Sequence, residues 1–346
     1  MRHSRTMTEP TGPVGWGILA TGKIARTFAA DLALVEDAHL VAVGSRTEAS
    51  ARAFCDEHGG RPLGSYAALA ADPEVEVVYV ASPHALHLEH VRTLLEAGKH
   101  VLCEKPLTTR LEDAETMVAL AREHDRFLME AMWTACHPVV RTVAEGVRSG
   151  RFGRPRHLHA ELGFRVDAGP GDRMLDPALG ASALLDMGVY SLTIAHLLLG
   201  EATDLTARAA LSDRGIDLDV AITGTYPSGA LATLTASMTS WSSRSASLAT
   251  DLGRLDMTDF HHPTAATYTP YDVGAEQGAG VVRAEPVDLV AESEPVIGRG
   301  YAHEIVEVGR CLRAGLRESP LVPWSQTLTL MRQLQRLIDE AGIAVG

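Results

Sequence analysis

Apolar residues recur along the first third of the chain in two alternating rhythms. Gly15–Leu19, Leu40–Val43, Val101–Cys103 and Phe127–Glu130 read as strands. Val75–Ala81 is an almost unbroken apolar run, as a parallel strand covered on both faces requires. Between these lie stretches with apolar positions at helical spacing: Ile24–Leu34, Glu48–Glu57, Leu86–Ala97 and Leu111–His124. This alternation predicts a doubly wound parallel sheet, assembled through right-handed crossovers.

After Trp133 the rhythm changes. Val139–Ser149 predicts a helix, His157–Phe164 alternates like a half-buried strand, a glycine-rich loop spans Asp167 to Arg173, and an apolar helix runs from Ala183 to Leu199. From Asp204 to Asp288 the chain is rich in Thr, Ser, Ala and Val with turn signals, and Ala221–Tyr226, Ala230–Met238 and Ser247–Asp251 predict antiparallel strands. Amphipathic helices over Tyr301–Ala314 and Ser325–Ala341 close the chain. The expected organisation is a disordered polar tail over residues 1–13, an α/β nucleotide-binding domain over 14–133, and an α+β domain over 134–346 with a broad sheet, whose last helices can pack back on the first domain.

With 346 residues, 46% of them apolar, the chain can bury a full core without a disulfide or metal. Its 31 basic and 44 acidic residues leave a formal charge of −13, which repels a phosphate backbone and argues against nucleic-acid binding. Cys55, Cys103, Cys136 and Cys311 lie far apart and form no C-x-x-C pair, as expected of reduced thiols in a cytoplasmic protein. The basic residues of the N-terminal tail are followed by no apolar run of signal-peptide length, and no stretch approaches 18 apolar residues, so neither export nor a membrane span is expected. His84, His87 and His90 straddle a loop and a helix with no Cys or carboxylate at ligand spacing, so no metal is expected. The His261-His262 pair reads as surface.

The first strand runs into Ala20-Thr21-Gly22-Lys23-Ile24-Ala25, where a dinucleotide fingerprint would read G-x-G-x-x-G/A. Gly22 fills the position that lets a pyrophosphate approach the backbone and Ala25 the position that packs helix on strand, while Ala20 replaces the first glycine. The second strand ends at Ser45-Arg46, with no carboxylate before Glu48 to accept from a ribose 2′-hydroxyl. A hydroxyl and a guanidinium suit a 2′-phosphate, which favours NADP(H) over NAD(H). Ala81-Ser82-Pro83-His84 and His87 follow the next apolar strand, and Glu104-Lys105-Pro106 follows the one after. Both fall at the carboxyl edge, where open α/β sheets bind ligands. Asp186 and Tyr190, four residues apart on the apolar helix, share a helical face.

Together, the A-G-K-H-V…E-K-P segment and the Asp186-Met187-Gly188-Val189-Tyr190 segment resemble the Gfo/Idh/MocA oxidoreductase family, with similarity from Trp16 to Leu337. The resemblance implies a Rossmann domain followed by an open, mostly antiparallel sheet that commonly mediates homodimers or homotetramers. It also implies Lys105 as the central catalytic residue, Glu104 and Lys105 beside the nicotinamide, and a Lys–Pro bond that is often cis. Tyrosine at 190, with the GDRMLDPALG and EAMWTACHP segments, resembles the branch of glucose–fructose oxidoreductase and dimeric dihydrodiol dehydrogenase. Gly180-Ala181-Ser182 and His137-Pro138 depart from that branch's pattern.

On this reading a hydride moves between the nicotinamide and a carbohydrate, polyol, dicarbonyl or cyclic diol carbon. The accompanying proton needs a positioned acid or base. A free phenol, with a pKa of about 10, is a poor base at neutral pH. An ammonium beside it favours the phenolate and can also bind a developing oxyanion. Tyr190 is therefore expected as proton donor and acceptor, with Lys105 as its activator and oxyanion clamp; coupled groups can share a titration, so the assignment of the proton between the two stays open. Asp186 contacts substrate hydroxyls, or orients Lys105, or simply sits at a helix N-terminus. Arg173 either reaches substrate or forms a loop salt bridge, and Trp133 either lines the nicotinamide pocket or packs in the core. An NAD-linked polyol or inositol-type dehydrogenase and a non-catalytic NAD(P)-sensing regulator of the same fold are the alternatives.

Overall fold

The computed structural model describes residues 12–167, 169, 172–271 and 285–345. The tail expected over 1–13 lies outside them up to residue 11, as do residues 168, 170 and 171 of the glycine-rich loop. The chain enters through β1 (Val14–Leu19), every residue of which is buried, and turns sharply into α1 (Lys23–Leu32). β2 (Ala38–Gly44), α2 (Glu48–His58), β3 (Arg61–Leu63), α3 (Tyr66–Ala71), β4 (Val77–Val80), α4 (His87–Glu96), β5 (His100–Glu104), α5 (Leu111–Glu123) and β6 (Leu128–Ala131) follow. The six strands are parallel, in the order β3-β2-β1-β4-β5-β6. This is the expected doubly wound sheet. Its winding reverses between β1 and β4, which leaves a crevice outside their carboxyl ends.

Beyond it come α6 (Trp133–Cys136), α7 (Pro138–Arg148) and β7 (Pro155–Gly163). Two short 3-10 turns, Arg173–Leu175 and Pro177–Leu179, and a π-helical turn, Leu184–Gly188, lead into α8 (Val189–Leu199). β8 (Asp204–Leu211), β9 (Asp217–Thr225), β10 (Leu231–Ser237), β11 (Ala246–Thr250), β12 (Gly253–Thr258), β13 (Ala265–Pro270) and β14 (Val287–Asp288) precede α9 (Tyr301–Arg313) and α10 (Trp324–Ala341). The second sheet has the order β14-β13-β12-β11-β7-β10-β9-β8 and is antiparallel except where β7 meets β10. It holds β8, β12, β13 and β14 in addition to the strands predicted from sequence. The π turn and α8 pack on β7 and β10. The segment Pro177–Leu199 is long and apolar enough by length and composition to cross a membrane, contrary to the reading of the sequence, but 89% of its apolar window is buried inside the protein. It is the core helix of this sheet.

The chain divides into two units. One extends to Trp133 and adds Ile297–Leu328, and the other comprises Thr134–Val296 and the chain from Thr329. Within the first unit α9 packs on α1. Gly300 gives α9 no side-chain cap. Asp31 of α1 supplies one from outside, its buried carboxylate accepting from the N–H groups of Arg299 and Tyr301 at 2.9 Å and of Ala302 at 3.3 Å. Donors left over at a helix start are thereby satisfied by a carboxylate, which the helix dipole also favours. One turn on, Glu304 is fully buried, and neither of its carboxyl oxygens has a hydrogen-bond partner among the described residues. Burial and the neighbouring acids Glu104 and Asp31 push its pKa well above 4.5, which favours the neutral acid in the fold.

Two stability tests follow from these strained and buried positions. Ala20 adopts φ +79°, a left-handed conformation that costs a side-chain-bearing residue about 1–2 kcal/mol. Ala20→Gly removes that cost and adds back unfolded-state entropy, so urea unfolding should show a gain of about 0.5–1 kcal/mol; a loss would contradict the strain. In the unfolded chain Glu304 ionises near 4.5, whereas the fold favours the protonated acid. Stability therefore falls as pH rises above that value, by about 1.4 kcal/mol per pH unit while the folded acid stays protonated. Glu304→Gln, measured by urea unfolding from about pH 5 to 6.5, should lose this slope relative to wild type; parallel profiles would show that Glu304 is ionised in the fold.

Candidate active site

The turn after β1 is tight and leaves the start of α1 open. Ala20 takes the left-handed conformation at the position where the fingerprint has its first glycine, and its N–H donates to Gly44 O at 3.0 Å, tying the turn to the end of β2. Gly22 is exposed and stands at the N-cap of α1 with no side-chain cap. A Cβ built on Gly22 would meet nothing within 4 Å among the described residues. Packing therefore does not demand glycine there, and the space over the helix start is open to an anion approaching its N–H groups. Thr21 and Ile24 are half-buried and Lys23 is exposed around this opening. At the end of β2, Ser45 is buried, with its N–H donating to Leu63 O at 3.1 Å, and Arg46 is exposed beside it. The first carboxylate beyond, Glu48, is held by Arg52 at 2.5 Å. These residues fit a dinucleotide with a 2′-phosphate.

At the ends of β4 and β5 two loops are laced together. His87, fully buried at the start of α4, sets Nε2 2.9 Å from Ser82 O and Nδ1 3.0 Å from Leu107 O. Burial lowers its pKa to about 4, so the ring is neutral at pH 7 and donates to one of these carbonyls. His90 holds the Ser82 hydroxyl at 2.8 Å, and Pro83 leads into a 3-10 turn over His84–Leu86 in which His84 is buried. The half-buried Ala81 is tied to β1 through its N–H, which donates to Leu19 O at 3.0 Å. On β5, Glu104 accepts from the Tyr79 hydroxyl and, at 3.1 Å, from the Lys105 N–H. The Lys105–Pro106 bond is cis, as the resemblance implies.

Glu130 of β6, not among the site residues expected from sequence, completes this corner. It is buried, and accepts from the Leu107 N–H at 3.0 Å and from the Thr327 hydroxyl at 2.9 Å. Burial raises its pKa to about 7, against the pull of those two hydrogen bonds and of the Lys105 charge. The signal available in the sequence was a glutamate in an otherwise apolar strand, which needs a buried partner. Trp133 is buried and stacks on Tyr301, with ring centroids 4.3 Å apart, a core-packing contact within the first unit.

In the second unit Asp186 lies in the π-helical turn and Tyr190 in the first turn of α8, both buried. Arg173, exposed, brings a guanidinium nitrogen to 3.7 Å from Asp186 Oδ1, so the loop ion pair weighed from sequence is present. The divergent Ser182 has a structural role. Its hydroxyl accepts from the Leu185 N–H at 3.0 Å and hydrogen-bonds Asp217, whose carboxylate accepts from the Leu184 N–H at 2.7 Å. Gly180, at φ +84°, ends the preceding turn, and Ala181 is buried. His137, also divergent, is buried at the N-cap of α7.

The surface reading of His261 is wrong. Its imidazole is 7% exposed and lies edge-on to Tyr190, with centroids 5.5 Å apart, while the Thr134 hydroxyl holds its carbonyl at 2.6 Å. Edge-on contacts with Phe164, at 6.0 Å, and His262, at 4.1 Å, extend this ring cluster around Tyr190. Among the described residues no group of three or more His, Cys, Asp or Glu is placed to hold a metal ion.

Residues 14–132 match the oxidoreductase family model with an NAD-binding Rossmann fold, and residues 140–256 match the GFO/IDH/MocA C-terminal domain. The chain is 31% identical over 342 residues to trans-1,2-dihydrobenzene-1,2-diol dehydrogenase of Sus scrofa, covering 96% of each. It is 31% identical to the NADP(+) D-xylose 1-dehydrogenase of Hypocrea jecorina, covering 95% of this chain and 92% of that one. A 3-ketoreductase from Actinomadura kijaniata, crystallised with NADP and TDP-benzene, superposes with a TM-score of 0.81 at 27% identity over 95% of this chain and 98% of that one. The same ketoreductase has been crystallised with a lysine or a tyrosine replaced. Fold, sequence and the Glu104-Lys105-Pro106 corner agree: the chain belongs to the Gfo/Idh/MocA family of oxidoreductases.

Proposed function

We propose that this oxidoreductase uses NADP(H) and moves a hydride between the nicotinamide and a hydroxyl-bearing carbon of a carbohydrate, polyol or cyclic diol, or the matching carbonyl, with Lys105 and Tyr190 handling the proton. The observation that carries the reading is the Lys105 corner, where a half-buried ammonium is flanked by Glu104 and feels the buried Glu130, in a loop braced by His87. NADP(H) as coenzyme is supported by Ser45 and Arg46 at the end of β2, and by the NADP named for the xylose dehydrogenase and the ketoreductase.

When bound, the nicotinamide supplies the hydride acceptor or donor. The open helix start at Gly22 would face the pyrophosphate, Arg46 and Ser45 the 2′-phosphate, and the Ser82-Pro83-His84 and Glu104-Lys105 loops the nicotinamide end. Lys105 stabilises negative charge as it develops on the substrate oxygen. Tyr190 delivers a proton to that oxygen in reduction and takes it in oxidation. Asp186, paired with Arg173, contributes acceptors for further substrate hydroxyls. Oligomer formation is assigned to the sheet of the second unit. One face of that sheet is covered by helices, and the other offers exposed small and hydroxyl side chains such as Thr206 and Thr223, 2.9 Å apart, together with Leu231.

Two measurements test the chemistry. Lys105→Met should bind NADPH nearly as wild type by fluorescence titration yet slow single-turnover NADPH oxidation by at least about a hundredfold; full-rate turnover would end the proposal. Arg46→Glu removes a charge-assisted contact and adds repulsion, so kcat/KM for NADPH should fall by about 10–100-fold relative to that for NADH. An unchanged ratio would remove the basis for the coenzyme assignment.

A further inference from the structure

Among the described residues Trp241 is the most exposed large apolar side chain, at 70%, whereas Trp16, Trp133 and Trp324 are buried. It is nevertheless held in place. The Arg244 guanidinium lies 4.7 Å from the Trp241 ring centre and 5.6 Å from that of Phe164, whose ring meets Trp241 edge-on at 6.0 Å. Cation–π and edge contacts of this kind fix an aromatic ring without covering it.

Arg244 and Asp259 both adopt left-handed backbone conformations, φ +55° and +49°. Their side chains pair at 2.8 Å, and the Phe260 N–H donates to Arg244 O at 3.0 Å. The loop that carries Trp241 is thus stapled to the loop that carries His261. Strained residues persist only where surrounding contacts enforce them, and such positions cluster at ligand sites. From Tyr190 the rings continue through His261 and Phe164 to Trp241, with successive centroids 5.5, 6.0 and 6.0 Å apart. This row leads from the residue assigned the proton to an immobilised indole with its surface open to solvent.

We propose that Trp241, fixed by Arg244, is an outer subsite that stacks a second, uncharged ring of the substrate, so that the enzyme acts on disaccharides or glycosides in preference to single sugars. The inference rests on the role given to Tyr190 above and names the substrate class of that site. An indole face suits the C–H face of a sugar ring or a flat aglycone, both of which it shields from water. The charge of Arg244 is matched by Asp259, and the chain carries a net −13, so the subsite offers a diphosphate little attraction. A nucleotide-linked sugar is therefore the disfavoured ligand.

Because the other three tryptophans are buried, acrylamide quenching of intrinsic fluorescence reports mainly on Trp241. With NADP+ bound, a panel of neutral disaccharides should protect the protein from quenching, and the constituent monosaccharides should protect it much less. In steady-state assays the ratio of kcat/KM for disaccharide over monosaccharide should fall about tenfold in Trp241→Ala, a loss of about 1.4 kcal/mol, and should be largely retained in Trp241→Phe. Equal or absent protection by the two sugar classes, or an unchanged ratio in Trp241→Ala, overturns the proposal. Protection by TDP-glucose with none by the disaccharides overturns it too. Failure of the wild type to turn over any sugar would instead count against the reaction assigned above, and the quenching experiment would still decide whether Trp241 binds a ring.

Discussion

A lysine ammonium that follows a buried strand persists only among groups that balance its charge, and here the surrounding groups are acids on neighbouring elements. Glu104 precedes Lys105 and takes its N–H together with the Tyr79 hydroxyl. Glu130 on β6 lies near enough for the Lys105 charge to lower its pKa, and it takes the Leu107 N–H of the same loop. Glu304 on α9 is near enough to Glu104 for the two charges to interact, and its pKa is raised by burial and by that neighbour. Carboxyls crowded in one low-dielectric place cannot all ionise, so burial holds protons on the least compensated of them. The loop that presents Lys105 is consequently set by interior electrostatics, and the His87 brace to the Ser82 carbonyl adds a second constraint.

That arrangement explains why α9, late in the sequence, matters to the first unit. Asp31 caps its start, Tyr301 stacks on Trp133, and Glu304 lies beside Glu104. A helix from the far end of the chain thereby packs on α1, with its first turn close enough to Glu104 for their charges to interact. A substitution in α9 is expected to reach the Lys105 loop by changing the charge or packing behind it.

Much of the first unit was legible because both of its patterns are strong. Fully buried parallel strands read as apolar runs, and amphipathic helices repeat at helical spacing. β3 and α3 escaped notice because Arg61-Pro62-Leu63 is too short to alternate and Tyr66–Ala71 is largely alanine. β8, β12 and β13 do alternate in burial, but their inward positions include small or flexible residues such as Ala207, Met257 and Ala266, whose signal in sequence is weak. The π turn before α8 lies in a stretch apolar on all sides, where no phase change can show. His261 was misread because its burial depends on Tyr190 and Phe164, neighbours distant along the chain. The left-handed Ala20 was hidden for the opposite reason, since alanine does not advertise a conformation that glycine would.

Of the two residues proposed to handle the proton, Lys105 lies in one unit and Tyr190 in the other. The central claim is that these two heads serve a single substrate oxygen. Its most direct test is a crystal structure of the ternary complex with NADP+ and a bound alcohol substrate. The account predicts that Lys105 Nζ and Tyr190 Oη both lie within about 3 Å of the reacting oxygen. A complex in which either head points away from that oxygen, with another side chain in its place, would contradict it.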